Sequence, residues 1–364
     1  MRQPAAMKKL SVGLVGPGLI GKTLLSQIEQ VQSQNAGPAS ADPLTIELVA
    51  VANSTKMVLD GKDGKNAIAS DAAQPLDYDA LARHVASKPN PVIVDCTASD
   101  APPSHYVSWA LAGISIVTPN KKFSSGPLAR YKDIREAQRA SGAHFFYEGT
   151  VGAGLPVLST LQHLRRTGDS IRKIEGIFSG TLSYIFNTFG SDARTFSQVV
   201  IAAKEAGYTE PDPRDDLAGM DVARKVTILA RECGLDLELD DVPVQSLVPE
   251  PLQSVDSADE YLRRLPEFDG EMQSMMDEAK EAGQCLRFVG VVDPVSGTGS
   301  VELRRYPQDH PFASLTGSDN ILSFETERYC DQPLIIRGPG AGAAVTAAGV
   351  FSDLLFLGER CGGD

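Results

Sequence analysis

The chain has 364 residues, enough for two or three domains at about 100–200 residues per domain. Its 34 lysine and arginine residues are outnumbered by 47 aspartate and glutamate residues, a net charge of −13. Such a surface repels phosphate backbones and anionic bilayers, so we expect neither nucleic acid nor a membrane as a partner. With 42% hydrophobic and 22% charged residues, the composition excludes general disorder.

The cysteines and the N-terminus indicate a reducing compartment. Five cysteines are widely spaced and include no Cys-x-x-Cys pair, which argues against a disulfide framework and against a cysteine zinc site. The first apolar run stops at Gly16, and no segment reaches the roughly 18 apolar residues of a membrane span. We therefore predict a cytoplasmic protein.

Strands and helices alternate through the first half of the chain. The patterns predict strands at 10–15, 46–53, 91–99, 115–122 and 144–149. They predict helices at 23–31, 105–113 and 128–140, and a polar surface loop at 33–43. This order favours an α/β fold with a doubly wound, mostly parallel sheet and helices on both faces.

The pattern changes after Leu155 to a second, mixed α/β domain. A strand at 171–180 runs into a helix, and Ser257 with Glu260 suits a capping box that opens another. The predicted helices lie at 181–189, 195–207, 221–234 and 271–282. The predicted strands lie at 285–293, 301–307, 321–329 and 333–338, and the last segment, 337–357, is a glycine turn followed by a helix.

A glycine motif separates the first strand from the first helix. It fits Gly-x-Gly-x-x-Gly and consists of Gly16, Pro17, Gly18, Leu19, Ile20 and Gly21. The first glycine allows the tight turn, the second lets a pyrophosphate approach the backbone, and the third lets the helix pack on the strand. Pro17 removes one amide donor from the turn. The motif in this context predicts a dinucleotide-binding domain of the Rossmann type.

The end of the second strand bears on the choice of nucleotide. An NAD site normally has an acidic residue there to bind the ribose hydroxyls. Here the strand ends at Asn53, a candidate cofactor contact, and Lys56 follows, which suits the 2′-phosphate of NADP. We favour NADP and leave NAD open, because Lys56 is also compatible with an ordinary solvated surface position.

The densest polar chemistry lies in residues 207–225, which carry five carboxylates and three basic residues. Asp221 and Lys225 are four apart on a predicted helix and share a face. Lys225 also borders the apolar stripe of Val222 and Leu229, where partial desolvation lowers a lysine pKa and suits it to proton transfer. The alternative is a solvated acidic loop that caps a helix, with an ordinary surface ion pair.

The remaining nucleophiles and metal-ligand types are interpreted as structural. The five histidines lie far apart in sequence, and none has metal-ligand spacing. His144, beside two phenylalanines, is expected to pack against them. Cys96 has no histidine base near it in sequence and is expected to be a buried thiol.

Taken together, the motifs resemble homoserine dehydrogenase, in its short form without a fused aspartate kinase or an appended regulatory domain. The segments that carry the resemblance are GPGLIG (16–21), VTPNKK (117–122), EGTVGAGLPV (148–157), EGIFSGTLSYIFN (175–187), GYTEPDPRDDLAGMDVARK (207–225) and GPGAGAAVTAAGV (338–350). They run from near the first residue to near the last, and the long acidic segment is highly specific.

The resemblance implies an activity and a domain plan. The activity is the reversible reduction of L-aspartate 4-semialdehyde to L-homoserine with NADPH or NADH, a step towards threonine, methionine and isoleucine. The plan is a nucleotide-binding domain over 1–150, a catalytic and dimerisation domain over 151–337, and a segment over 338–364 that returns to the first domain. The expected assembly is a homodimer.

The resemblance also implies roles for individual residues. Lys225 is similar to the family's acid/base lysine, and Lys122 to a second lysine near the nicotinamide and the substrate. The implied substrate-binding residues are Gly180, Thr181, Tyr208, Glu210, Asp216 and Asp221. Further implied cofactor contacts are Thr97 and Gly342. These roles fit the chemistry, because carboxylates hold the substrate's α-ammonium while a lysine stabilises and protonates the developing alkoxide.

The segment 148–157 resembles the family's monovalent-cation loop. There the ligands would be the Glu148 carboxylate and the carbonyl oxygens of Val151, Ala153 and Leu155, around a structural sodium ion. A hard cation is suited to such carboxylate and carbonyl oxygens.

Three alternatives stay open at this point. A dehydrogenase of another amino-acid semialdehyde would keep the same cofactor site, and a phosphorylating one would need a cysteine nucleophile such as Cys96. A non-catalytic NAD(P)-binding sensor would not need Lys225. A hydrolase that uses Glu210 and Asp221 as its carboxylate pair would leave the glycine turn without a role.

Overall fold

A computed structural model of the chain describes residues 8–34, 44–60, 66–191 and 193–361. Most of the predicted loop at 33–43 lies outside these ranges. The chain forms two compact units, one of Met1–Gly154 with Gly342–Asp364 and one of Leu155–Ala341. The domain limits expected at residues 150 and 337 lie four residues before the observed limits at 154 and 341.

The strands and helices of the described residues are numbered here in chain order. The strands are β1 (Lys9–Val15), β2 (Thr45–Ala52), β3 (Lys56–Leu59), β4 (Gln74–Pro75), β5 (Pro91–Asp95), β6 (Ser115–Val117), β7 (Phe145–Phe146), β8 (Ile171–Ile177), β9 (Gln284–Asp293), β10 (Thr298–Pro307), β11 (Asp319–Thr326) and β12 (Leu334–Pro339). The helices are α1 (Leu19–Gln34), α2 (Tyr78–Ala86), α3 (Tyr106–Leu111), α4 (Lys121–Ser124), α5 (Leu128–Ser141), α6 (Val157–Arg166), α7 (Gly180–Thr188), α8 (Phe196–Glu205), α9 (Pro213–Leu217), α10 (Met220–Glu232), α11 (Ala258–Arg264), α12 (Asp269–Glu281) and α13 (Ala343–Arg360).

The first unit is built on a seven-stranded sheet in the order β4-β3-β2-β1-β5-β6-β7. Parallel pairing joins β2, β1, β5, β6 and β7, each to the next in that order. At one edge, β3 pairs antiparallel with β2, and β4 pairs antiparallel with β3. The predicted doubly wound, mostly parallel sheet is therefore confirmed. The strand order reverses between β1 and β5, and ligands of such sheets bind beyond the carboxyl ends of the strands at that point.

Alternation along β1 explains why helices cover both faces of this sheet. Leu10 and Leu14 point into a cluster that α1 and α13 complete with Leu24 and Leu354. Gly13 points the other way, and a Cβ there would lie 2.7 Å from the Val85 side chain of α2. Side chains two apart share one face of a strand, so the run of apolar residues serves both layers.

The second unit is built on a five-stranded antiparallel sheet in the order β10-β9-β8-β11-β12. Helix α10 lies close against this sheet because the facing strands carry glycines. A Cβ on Gly290 of β9 would lie 2.6 Å from the Val226 side chain, and one on Gly299 of β10 would lie 2.7 Å from it. This close approach buries most of α10, including Lys225.

The structure corrects the predicted elements at three places. The strand predicted at 91–99 ends at Asp95. The strand predicted at 115–122 ends at Val117, and Lys122 lies in the short helix α4. Pro119 cannot donate to a sheet ladder, and the Asn120 side chain caps the helix that follows. The strand predicted at 144–149 is reduced to β7, since Glu148–Thr150 form a 3₁₀ turn.

Several short elements were not predicted from the sequence, namely α2, α6, α9, β3 and β4. By contrast, the Ser257 half of the predicted capping box is confirmed, because its Oγ accepts a hydrogen bond from the Glu260 N–H at 3.1 Å at the start of α11. Within the described ranges, none of the helices combines the length and the apolar character that crossing a bilayer requires.

Candidate active site

The three glycines of the turn after β1 serve different steric purposes. Gly16 has a φ of +87°, and a Cβ there would lie 2.7 Å from the Thr97 Cγ2. A Cβ on Gly21 would lie 2.4 Å from the Gly16 carbonyl oxygen, so helix α1 packs directly on the turn. A Cβ on Gly18 would meet no atom within 4 Å, and it would therefore project into space that a ligand can fill.

A cleft of about 500 Å³ opens beside this turn. Its lining comprises Gly16, Pro17, Gly18, Lys22, Asn53, Ser54, Asn66, Ile68 and Ala69. The backbone N–H groups of Thr55 and Lys56 donate to the Asn53 Oδ1 at 2.9 and 2.7 Å, which fixes the turn after β2. The lining supplies one lysine and no carboxylate, so this cleft suits a phosphate-bearing ligand. Leu19 lies 76% exposed at the start of α1, and Ile20 packs against the core.

A buried carboxylate that sequence reasoning missed organises the carboxyl end of β5. Asp95 accepts hydrogen bonds from the Tyr106 hydroxyl at 2.5 Å, the Thr97 N–H at 2.8 Å and the Asn120 side-chain amide at 3.1 Å. Burial raises the pKa of Asp95, and the three donors partly oppose that shift. The signal available in the sequence was a carboxylate that ends an otherwise apolar strand.

The Asp95 carboxylate also positions the backbone of Lys122, through the side chain of Asn120. The Asn120 amide that donates to Asp95 accepts the Lys122 N–H at 3.1 Å through its Oδ1. The Lys122 Nζ lies 2.6 Å from the Asp100 Oδ2, and its side chain is partly exposed whereas that of Asp100 is largely exposed. The first unit therefore brings Thr97 and Lys122, two of the predicted site residues, into one network through Asn120.

The C-terminal glycine turn contributes Gly342 to the same unit. Gly342 has a φ of +115° and precedes α13. Helix α13 packs on α1, and the Gln27 side-chain amide donates to the Ala344 carbonyl at 2.9 Å. The first turn of α13 is thereby tied to the helix that follows the glycine motif.

In the second unit, four of the predicted substrate residues come together around Asp216. Its Oδ1 lies 3.0 Å from the Thr181 Oγ1, and its Oδ2 accepts the Glu210 N–H at 2.8 Å. The Thr181 hydroxyl also lies 2.6 Å from the Tyr208 carbonyl oxygen. Gly180 precedes Thr181 as the first residue of α7. The acidic segment and the start of α7 thus form one constellation.

The carboxylates of this constellation perturb one another. Burial raises the pKa of Asp216, and the neighbouring charges of Glu210 and Asp221 raise it further, against the hydrogen bonds from the Glu210 N–H and Thr181. Such a cluster of carboxylates attracts a cationic group. The arrangement is therefore suited to bind an ammonium ion.

Lys225 lies beside these carboxylates and is buried. Its side chain is 8% exposed, and its Nζ lies 2.6 Å from the Asp221 Oδ2 and donates to the Phe178 carbonyl at 2.7 Å. The alternative of an ordinary surface ion pair is wrong for the lysine, although Asp221 is half exposed. An ammonium held in a largely dry position interacts strongly with charge that develops near it.

Part of the acidic segment 207–225 is nevertheless structural, in agreement with the alternative of an acidic loop that caps a helix. Asp212 caps α9 by accepting the Arg214 N–H at 3.0 Å, and the Arg214 guanidinium lies 2.6 Å from the same carboxylate. This pairing holds the pKa of Asp212 below its usual range. The segment therefore combines a stiffened cap with the cluster around Asp216.

The predicted cation loop is buried and tightly turned. Gly152 and Ala153 have φ values of +78° and +56°, and Glu148, Val151 and Ala153 are all buried. The Glu148 N–H donates to the Asp353 Oδ2 of α13 at 2.9 Å. Burial and the Glu148 charge raise the pKa of Asp353, so a cation here would offset the repulsion of two buried carboxylates. Leu155, the fourth expected ligand, opens the second unit.

Cys96 and His144 behave as structural residues. Burial and the neighbouring charge of Asp95 raise the pKa of the Cys96 thiol, which disfavours the thiolate that a nucleophile needs. His144 stacks on Phe146 with ring centroids 5.6 Å apart. In the described part of the chain, no group of three or more His, Cys, Asp or Glu side chains is placed to hold a metal ion.

Comparison with known proteins decides the family. Residues 16–148 match the NAD-binding domain of homoserine dehydrogenase, and residues 156–355 match the homoserine dehydrogenase domain itself. The chain is 44% identical to the homoserine dehydrogenase of Saccharomyces cerevisiae, over 97% of this chain and 99% of that protein. The chain belongs to the homoserine dehydrogenase family. The resemblance inferred from the motifs is confirmed.

The family contains proteins of different length. A bifunctional aspartokinase/homoserine dehydrogenase of Zea mays is 56% identical over 97% of this chain, which spans only 39% of that protein. A crystal structure of a Candida auris protein of unknown function, 42% identical, superposes with a TM-score of 0.89 and covers 97% of this chain and 99% of that one. A putative homoserine dehydrogenase of Archaeoglobus fulgidus, 22% identical, shares the fold with a TM-score of 0.75, over 98% of this chain and all of that one.

Proposed function

We propose that the chain is an NAD(P)-dependent homoserine dehydrogenase, which interconverts L-aspartate 4-semialdehyde and L-homoserine. The single observation that carries the proposal is Lys225, a buried lysine 2.6 Å from Asp221 and beside a cluster of carboxylates. Family membership and the match to an NAD-binding domain support it. A sensor would have no need of this buried ammonium.

The residues divide the chemistry as follows. When bound, the nicotinamide supplies the hydride to the aldehyde carbon in one direction and takes it from the alcohol in the other. The carboxylates of Glu210, Asp216 and Asp221 bind the substrate's α-ammonium. Lys225 stabilises the oxygen as it gains negative charge and gives it a proton, so that aldehyde, hydride and proton yield the alcohol. Lys122 acts as a second lysine near the nicotinamide.

The nucleotide site fits this assignment. The cleft beside Gly18 leaves room for a pyrophosphate at the N-terminus of α1, where backbone N–H groups and the helix dipole favour anions. Lys22 lies in the same cleft. Gly16, Pro17, Leu19, Ile20, Gly21, Asn53, Thr97 and Gly342 complete the proposed contacts, some through shape and some through polar atoms.

The assay that tests the proposal follows nicotinamide absorbance. Purified protein is mixed with L-homoserine and either NADP or NAD at mildly alkaline pH. We expect reduction of the cofactor, and no reduction with L-serine or L-threonine at the same concentration. Tight cofactor binding without turnover on homoserine would reject the assignment in favour of a sensor or another substrate.

We propose NADP as the preferred cofactor. The turn after β2 carries no carboxylate, and Lys56 is exposed directly beyond it at the start of β3. The variant Lys56→Glu is expected to lower kcat/KM with NADP by roughly 10-fold, because a like charge replaces a phosphate contact. Steady-state kinetics with NAD should change little, and Lys132→Glu on α5 is the control. Equal losses with both cofactors would contradict this preference.

We propose a structural sodium ion at Glu148, Val151 and Ala153, with Leu155 as the fourth ligand that the resemblance implies. The buried pair of Glu148 and Asp353 supports it, since a monovalent cation would relieve their repulsion. Sodium chloride should raise the midpoint of thermal unfolding above that in choline chloride at equal ionic strength. The difference should vanish in Glu148→Gln.

The pH dependence of stability gives a related prediction for Asp353. Its raised pKa means that the folded state holds this proton more tightly than the unfolded state, whose Asp pKa is about 3.9. The free energy of unfolding therefore falls as pH rises from about that value through the folded pKa. Asp353→Asn keeps an acceptor for the Glu148 N–H and should unfold at a higher temperature than wild type at pH 8 in choline chloride. An equal difference at pH 4 and pH 8 would contradict this prediction.

We propose a homodimer formed through the second unit. Its edge strand β12 leaves Leu334, Ile335 and Ile336 half-exposed or exposed, which is unusual for an edge in contact with water only. Sedimentation velocity should give the mass of two chains, and Ile335→Glu should shift it towards one. A monomer at micromolar concentration would reject the dimer.

The cytoplasmic location stays a prediction from the sequence.

A further inference from the structure

Two side chains from different elements share one backbone carbonyl in the second unit. The Phe178 carbonyl, between β8 and α7, accepts a hydrogen bond from the Lys225 Nζ at 2.7 Å and another from the Asn320 Nδ2 at 2.9 Å. Asn320 lies on β11, which pairs with β8. A carbonyl oxygen has two lone pairs, so the two donors occupy both of its acceptor positions.

The other half of the Asn320 amide is left unpaired. Its side chain is completely buried, and its Oδ1 has no hydrogen-bond partner among the described residues. Burying an acceptor without a partner costs free energy, so an apolar side chain of the same size would suit stability better. The hydrogen-bond donor of the amide is therefore the reason for an asparagine at this position. That donor, Nδ2, bonds to the same carbonyl that Lys225 contacts.

The chain after β12 holds this amide in place. A Cβ on Gly340 would lie 2.0 Å from the Asn320 Nδ2 and 2.2 Å from its Cγ, so no residue larger than glycine fits there without moving the amide. Asn320 is thus confined between the backbone at Gly340 and the Phe178 carbonyl. This contact gives a physical reason for one glycine of the GPGAG motif.

We propose that Asn320 is a positioning residue for Lys225, resting on the proposed catalytic role of that lysine. Asn320 fixes the Phe178 carbonyl, and the carbonyl fixes the ammonium at the distance and direction that proton transfer requires. Asn320 does not itself bind substrate or cofactor. Gly340 contributes to the same positioning of Lys225, because it sets the position of Asn320. The rival explanation is a purely structural link between β11 and the β8–α7 connection.

The test compares Asn320→Leu with a matched control, Asn187→Leu. Asn187 also has a buried Oδ1 without a partner among the described residues, and its Nδ2 donates to the Gly317 carbonyl at 2.9 Å, away from Phe178. Both variants delete the same group in the same unit. Each is assayed for kcat and KM with homoserine, for the isotope effect of deuterium at the carbon that loses hydride, and for thermal unfolding.

For Asn320→Leu we expect kcat to fall roughly 10- to 100-fold, as for a displaced catalytic group, with KM for both substrates unchanged. The deuterium isotope effect should rise because the chemical step becomes slower, and the unfolding midpoint should not fall. Asn187→Leu should keep kcat. Equal effects in the two variants, or a loss of kcat that follows a lower unfolding midpoint, would overturn the proposal.

Two further variants keep the test decisive if Asn320→Leu does not fold. Asn320→Ser removes the donor with less change in packing, and Gly340→Ala displaces the amide without altering it, so both should lower kcat in the same way. A crystal structure of whichever variant folds should show the Lys225 Nζ displaced from the Phe178 carbonyl. That readout needs no turnover: an unmoved ammonium rejects the inference, whereas inactive wild-type protein rejects only the proposed function.

Discussion

Replacing Lys225 by methionine is expected to lower kcat for homoserine oxidation by about 10²- to 10⁴-fold, the usual contribution of a positioned acid/base group. The side chain is 8% exposed and lies between Asp221 and the Phe178 carbonyl, so no water takes over its position easily. Methionine has a similar length and no charge. The cofactor site lies in the other unit, and fluorescence titration with NADPH should give an unchanged dissociation constant.

The control for this variant is Lys280→Met, since Lys280 lies in the last turn of α12 and is exposed. It should retain wild-type kcat. Circular dichroism and thermal unfolding of both variants establish that they are folded. A folded Lys225→Met protein with more than a tenth of wild-type kcat would remove Lys225 from the mechanism and leave another group to supply the proton.

Replacing Gly21 by alanine is expected to damage both the stability of the first unit and its affinity for the cofactor. The new methyl would lie 2.4 Å from the Gly16 carbonyl oxygen, and neither a Cβ nor a backbone carbonyl can rotate away. Overpacking of this kind costs about 1–3 kcal/mol in the free energy of unfolding. Because α1 must move off the turn, the proposed pyrophosphate contact at its N-terminus should be lost, and KM for the cofactor should rise.

Gly18→Ala is the matched variant that separates the two effects. Its methyl meets no protein atom within 4 Å, so urea unfolding without cofactor should match wild type. The KM for the cofactor should still rise, because the methyl occupies the space left for the pyrophosphate. If Gly18→Ala binds NADPH as tightly as wild type, the pyrophosphate does not lie over this turn, and the cofactor site needs another location.

The sequence by itself determined what depends on local pattern. Alternating strands and helices with one glycine motif indicated the doubly wound sheet, and the spacing of the motif's three glycines indicated a nucleotide site. The spacing of Asp221 and Lys225 placed them on one helical face, where the structure has them 2.6 Å apart. Long, specific segments such as 207–225 carried the family assignment. The glycine motif, the Asp221–Lys225 pair and the segment 207–225 each span fewer than about 20 residues, within the range where chain geometry limits the possible contacts.

Only the tertiary structure decided the contacts between distant segments. Asp95 and Asn120 are 25 residues apart, Phe178 and Asn320 are 142 apart, and Glu148 and Asp353 are 205 apart. A single sequence shows each of these residues without its partner, because pairing across such distances depends on sheet order and helix packing. The burial of Lys225 has the same origin, since it depends on glycines in β9 and β10 that let α10 approach the sheet. Local sequence patterns indicated the candidate reactive groups, and long-range packing determined which neighbouring residues hold them in place.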